Sequence, residues 1–252
     1  MSKIPSLLKL KDYITLTGTT LGLIAIVCAG LGTRSAISLG FFLVSISLGT
    51  DLIDGYIARK TETVNEMGRE LDSLSDSLTF GITPAILMFQ AFRIGSIYDY
   101  ILVLGCIMFA LGAILRLARF NISQTPGYTG VPTPVSALLI IAYFYGNYFH
   151  SFAFGGINHP FPLITYYLAP IIMGFIGWFN ITTFISFGEK GKKIYTIFLI
   201  VAPLCPIFGI IGILNPEFII SLLVSIFFFS SFLGLFGYVI FGFYRKVRTK
   251  KT

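Results

Sequence analysis

Apolar residues run along this chain in blocks of about 20, separated by short polar turns. Neither a two-residue alternation nor a one-sided helical stripe describes them. Wound as helices at about 1.5 Å per residue, blocks of this length match a hydrocarbon layer of about 30 Å. Eight are predicted, at residues 13–32, 36–58, 71–91, 98–117, 134–154, 163–184, 194–214 and 218–244. In lipid each backbone amide must find its partner inside its own segment, so the expected fold is an all-α, polytopic membrane helix bundle. The blocks are too long and too continuously apolar for barrel strands. No polar linker is long enough to divide the chain, so residues 1–252 are expected to form one domain.

The polar interruptions add orientation. Of the 18 lysines and arginines, all but Arg34 and Arg93 fall on the side that holds both termini. The positive-inside bias therefore predicts a multi-pass protein of the cytoplasmic membrane with cytoplasmic termini. Residues 4–12 alternate leucines with lysines and are expected to lie at the interface as a short amphipathic segment. The loop 121–133 carries Pro126, Gly127, Gly130 and Pro132 and is expected to form structured turns. The first apolar block is too long for a cleavable signal and lacks a small-residue cleavage site.

Composition agrees: 55% of residues are hydrophobic, mean hydropathy is +0.85, and 12% are charged, about half the soluble average. The net charge of +7 is accounted for by the cytoplasmic bias and the basic run 245–251, so no nucleic-acid partner is expected. Cys28, Cys106 and Cys205 fall in separate blocks and read as apolar filler, not as a disulfide framework or thiolate site. His150 and His159 are expected at the outer side, far from any chemistry.

The chemistry lies in four carboxylates that membrane depth makes expensive. Asp51 and Asp54 are three apart, and Asp72 and Asp76 are four apart, so each pair projects from one face of a helix. Two such faces on neighbouring rods are able to hold divalent cations. Four carboxylates without histidine or cysteine favour hard ions, Mg²⁺ or Mn²⁺, over zinc. Gly55 and Ala58, a turn apart, leave room for a flat group against the helix. Gly68 allows close backbone approach by a phosphate, and Arg59 is positioned to contact one.

From Asp51 to Asp76 the chain reads D-x2-D-G-x2-A-R-x8-G-x3-D-x3-D. This pattern, filled at all its positions, resembles the signature of the CDP-alcohol phosphotransferase family. The resemblance implies that Asp51, Asp54 and Asp72 ligate metal, in all two ions, and that Asp76, at the same cluster, is the base that deprotonates the acceptor alcohol. It implies that Gly55, Ala58, Arg59 and Gly68 face the nucleotide. It further implies a homodimer and a six-helix core, about residues 1–187, to which blocks 194–214 and 218–244 are additions.

Three segments narrow the family: GRELDSLSDSLTFGITPA from Gly68, LRLARFN from Leu115, and GVPTP from Gly130. They resemble the phosphatidylserine synthase branch over roughly residues 40–140. The expected reaction joins L-serine to a CDP-lipid and releases CMP. Arg116 and Arg119, three apart, are candidates to receive the serine carboxylate or the lipid phosphate, with Asn121 adding an amide contact. The stretch WFNITTFISFGEKGKK, 178–193, departs from the basic, Ser/Asn-rich segment of bacterial relatives, which loosens the acceptor assignment. Two other readings stay open: a sister enzyme using glycerol phosphate or an inositol phosphate, and a transporter with a carboxylate cation site.

Overall fold

The computed structural model describes residues 8–61, 66–122, 128–184, 186–187, 204, 207 and 217–249. Its helices are α1 (Leu10–Leu31), α2 (Arg34–Thr61), α3 (Glu66–Asp76), α4 (Thr83–Phe92), α5 (Tyr98–Ile122), α6 (Thr133–Gly155), α7 (Leu163–Ile181) and α8 (Phe218–Thr249). A π-helical stretch, Ser77–Ile82, joins α3 to α4 in one rod. A two-residue antiparallel ladder pairs β1 (Tyr128–Thr129) with β2 (Ser186–Phe187).

Local chemistry sets the ends of these rods. Asp12, at the third position of α1, reaches back to the Lys9 N–H at 2.7 Å and pairs with Lys11 at 2.9 Å. Gly32, at φ +69°, closes α1 by donating to the Ala29 carbonyl. Thr33 then accepts from the Ala36 N–H and starts α2. A connection this short makes α1 and α2 neighbours, and they pack along each other. Pro170 lies inside α7 and has no N–H for the carbonyl of Tyr166. The Tyr98 hydroxyl donates to that carbonyl instead. In α5, Gly105 meets the Pro170 backbone and Gly112 that of Gly177, so α5 and α7 touch main chain to main chain.

Seven of the eight expected blocks coincide with described rods; the block 194–214 lies outside the described residues except for positions 204 and 207. Residues 1–7 of the expected interfacial segment and Cys205 also lie outside them. Five described helices are long and apolar enough to cross a membrane: α1, α2, α5, α7 and α8. Two rods are not of that kind. The rod from Glu66 to Phe92 is split by the π segment, and α6 carries tyrosines, Asn147 and His150.

Helix α6 is the centre of the bundle. Every residue from Val135 to Phe149 is buried, so it shows no lipid-facing stripe. Two of its tyrosines are satisfied across helices: Tyr145 donates to the Ser38 carbonyl at 3.0 Å, and Tyr143 to that of Thr165 at 2.6 Å. Its Gly146 carbonyl accepts from Ser225 of α8 at 2.8 Å. Helix α8 also places Val224, Phe228, Phe232, Leu235 and Val239 in the core, so this last rod is more than a lipid-facing addition.

Candidate active site

Asp51 and Asp54 project from the second half of α2, and Asp72 and Asp76 from α3. The helical spacing does what it predicted. Carboxylate oxygens of Asp51, Asp72 and Asp76 all lie within 4.8 Å of one another. Asp54 stands beside them and is fixed from a third helix, because Thr15 of α1 donates to its Oδ2 at 2.7 Å. All four aspartates line one cavity of about 230 Å³.

Among the described residues, none of these four carboxylates forms an ion pair; the pairs found are Lys11–Asp12 and Arg69–Glu70. Like charges this close in a largely buried cleft repel strongly unless a cation sits among them. Every donor is a hard oxygen. The set therefore fits a divalent ion of the Mg²⁺ or Mn²⁺ type.

Helix α5 supplies another wall, with Arg116, Leu117 and Phe120; Pro132 and Pro134 supply the next. Arg116 is buried and donates to Thr133 Oγ1 at 2.9 Å, which holds its guanidinium at the cavity. The Pro132 turn is anchored on α7. Val131 donates to the Phe179 carbonyl at 3.0 Å, and Gly130, at φ +81°, lies where a Cβ would stand 2.0 Å from the Asn180 carbonyl.

The other expected site residues divide. Gly55 lines the cavity. Gly68 is buried in the first turn of α3 and is not part of the lining. Ala58 and Arg59 fall in α2, outside the residues whose side chains are described. Arg119 does not line the cavity; it donates to the carbonyls of Ile181 at 2.7 Å and Asn180 at 3.3 Å, capping α7. Asn121 bridges α5 to α3, donating to Glu70 at 3.2 Å and accepting from Ser73 at 3.0 Å. Thr15, Arg69 and Ser73 at or beside the site were not anticipated. Arg69 and Ser73 sit one and four positions from Gly68 and Arg69, in the motif's own interval, so the motif offered a signal for them. Thr15 had none, since it lies 39 residues from its partner.

A family model described as CDP-alcohol phosphatidyltransferase matches residues 8–226. The chain is 36% identical over 143 residues to a CDP-diacylglycerol–serine O-phosphatidyltransferase of Methanocaldococcus jannaschii, covering 57% of this chain and 64% of that protein. It is 32% identical over 151 residues to an archaetidylserine synthase of Methanothermobacter thermautotrophicus, covering 58% and 62%. With a Bacillus subtilis protein named as the same serine transferase it shares 36% over 95 residues, covering 36% and 51%. The matches thus span less than two thirds of each of these relatives. With a family match that runs from the start of α1 into α8 and takes in all four clustered aspartates, the chain belongs to the CDP-alcohol phosphatidyltransferase family.

Proposed function

We propose that this protein transfers the phosphatidyl group of a CDP-lipid to L-serine and releases CMP. The observation that carries the reading is the trio Asp51, Asp72 and Asp76, within 4.8 Å, opening on a cavity that also holds Arg116. The names of the relatives support serine as acceptor, since each of the three refers to a serine product or substrate.

Asp51, Asp54, Asp72 and Asp76 would hold Mg²⁺ or Mn²⁺, as two ions, which would neutralise charge at the pyrophosphate. The protein's own groups do the rest. Gly55, at the cavity, leaves room for the nucleotide, and the motif's Ala58, Arg59 and Gly68 complete the proposed nucleotide-binding set. Arg116 pairs with the serine carboxylate and aims the hydroxyl; Arg119, on the end of α7, and Asn121, between α5 and α3, brace the helices that carry the site. Asp76 takes the hydroxyl proton. The serine oxygen forms its bond to the lipid-bearing phosphorus as the bond from that phosphorus to the CMP oxygen breaks. CMP leaves, and Asp76 returns its proton to solvent through the cavity mouth. A direct in-line displacement needs nothing more than these groups.

The apolar blocks support eight spans, and the lysine and arginine bias supports cytoplasmic termini and a cytoplasmic active site, where a membrane lipid and two soluble compounds meet. Family membership supports a homodimer. The test is CMP release by purified protein given a CDP-lipid and a panel of alcohols. Serine is expected to be preferred, chelation to stop turnover, and Asp76→Asn to abolish it without loss of fold. Preference for glycerol phosphate or inositol phosphate sinks the serine assignment; cation flux without CMP release sinks the enzyme.

A further inference from the structure

A second polar cavity, also of about 230 Å³, lies at the other end of the bundle. Its walls come from the turn between α1 and α2, the end of α4, and the start of α7, with Arg34, Gln90, Arg93 and Tyr166 among them. Arg34 and Asp51 are 17 residues apart on α2, so the two cavities are separated by about 25 Å along that helix, close to the thickness of a hydrocarbon layer.

This pocket is cationic and built. Nη1 of Arg34 donates to Ser151 Oγ and the Ile157 carbonyl, each at 3.0 Å, and to the His159 carbonyl. Its guanidinium carbon lies 4.2 Å from the Phe161 ring centroid. The group is thus fixed before any ligand arrives, which lowers the cost of binding one. Arg93 is exposed and extends over Gly32, where a Cβ would lie 3.6 Å from its Nη2. Among the described residues neither arginine has an ion-pair partner. The nearest acid in sequence, Asp99, is engaged by the N–H groups of Ile94 and Gly95. Beside the arginines, Oε1 of Gln90 is buried without a hydrogen-bond partner. Two guanidinium groups ask for a phosphate; an orphan amide oxygen asks for a hydroxyl or ammonium donor on the same ligand.

We infer that this pocket binds the head group of an anionic phospholipid from the leaflet opposite the aspartates, with its phosphodiester on Arg34 and Arg93 and its polar end on Gln90. Free phosphate offers the same charge and, at neutral pH, a P–OH donor of its own, so it is the ligand that must be told apart from the lipid by competition. The site is independent of the transfer reaction.

Native mass spectrometry of the detergent-purified protein tests this, with phosphatidylglycerol, phosphatidylmethanol (the same phosphodiester without hydroxyls) and inorganic phosphate as probes. Phosphatidylglycerol is expected to be retained best. Arg93→Gln, a change at an exposed position, should weaken it by about tenfold or more, the usual cost of a lost charge-assisted contact. Gln90→Leu should bring phosphatidylglycerol down to the level of phosphatidylmethanol. Lys60→Gln, an exposed change at the aspartate end of α2, should change nothing. Retention unaffected by Arg93→Gln overturns the site, and so does displacement of the lipid by an equal concentration of inorganic phosphate. Unchanged size-exclusion profiles establish that each variant is folded.

Discussion

Replacing Thr15 with valine removes one hydroxyl and leaves the shape of the residue almost unaltered. That hydroxyl has two acceptors in reach, Asp54 Oδ2 at 2.7 Å and the Lys11 carbonyl at 3.2 Å, and only one proton. The shorter, charge-assisted contact takes it. Both Thr15 and Asp54 are buried, at 6% exposure each, so water does not replace the lost donor. A hydrogen bond to a charged group is worth about 1.5–3 kcal/mol, or roughly 10- to 100-fold in an equilibrium constant. The loss falls on the aim of Asp54, a ligand in the proposed reaction. Thr15→Val should therefore raise the Mg²⁺ concentration needed for half-maximal CMP release by about 10- to 100-fold, in line with the usual cost of removing an orienting partner. Thr15→Ser, which keeps the donor, should restore most of the affinity. A half-saturation within about twofold of the unaltered protein refutes the argument. So does a fall in turnover at saturating Mg²⁺ with unchanged half-saturation, because Thr15 would then act on something other than metal binding.

Arg116→Gln should raise the apparent KM for serine by about tenfold or more, whereas Arg119→Gln should lower the thermal midpoint with little effect on KM, since Arg119 caps α7; initial-rate kinetics and thermal unfolding in detergent separate them. Gly112→Leu puts a side chain where a Cβ alone would stand 2.3 Å from the Gly177 carbonyl, so it should cost about 3 kcal/mol or more and reduce the folded yield, read by size exclusion. Deleting one residue within 77–82 should leave helical content by circular dichroism intact and abolish CMP release, because it turns Asp72 and Asp76 by about 100° relative to α4.

The parts readable in the sequence were those governed by spacing within one element. Apolar runs gave seven rods in place, and intervals of three and four gave two acidic faces that do meet. What escaped depends on contacts between distant segments. A threonine in an apolar helix ordinarily bonds back to its own preceding turn, as Thr19 does to the Thr15 carbonyl, so nothing local distinguishes Thr15. Arg116 and Arg119 share a helix end and a charge. Only the position of Thr133 and of the end of α7 assigns one to the cavity and the other to a cap. The 134–154 run reads like any other span, yet it is enclosed by its neighbours and tolerates tyrosines and Asn147 for that reason.

The π segment shows a pattern and its physical reason together. Asp76, Phe80, Pro84, Met88 and Phe92 recur at every fourth residue, and all five are buried. An α-helix advances about 100° per residue, so over those 16 positions such a stripe would drift by about 160° and carry one end out to lipid. One π turn inserts about one residue's worth of rotation, and returns about 100° of that drift. The remainder fits within an apolar face of ordinary width. The Thr83 N–H and hydroxyl both bond the Leu78 carbonyl, five residues back, and Pro84 has no N–H with which to continue the α pattern to Phe80. The widened turn thus lets one rod satisfy two demands: Phe80, Met88 and Phe92 stay in the core, while Asp72 and Asp76, directly before the turn, stay aimed at Asp51. A straight α-helix with this sequence would give up either the packing or the carboxylate cluster.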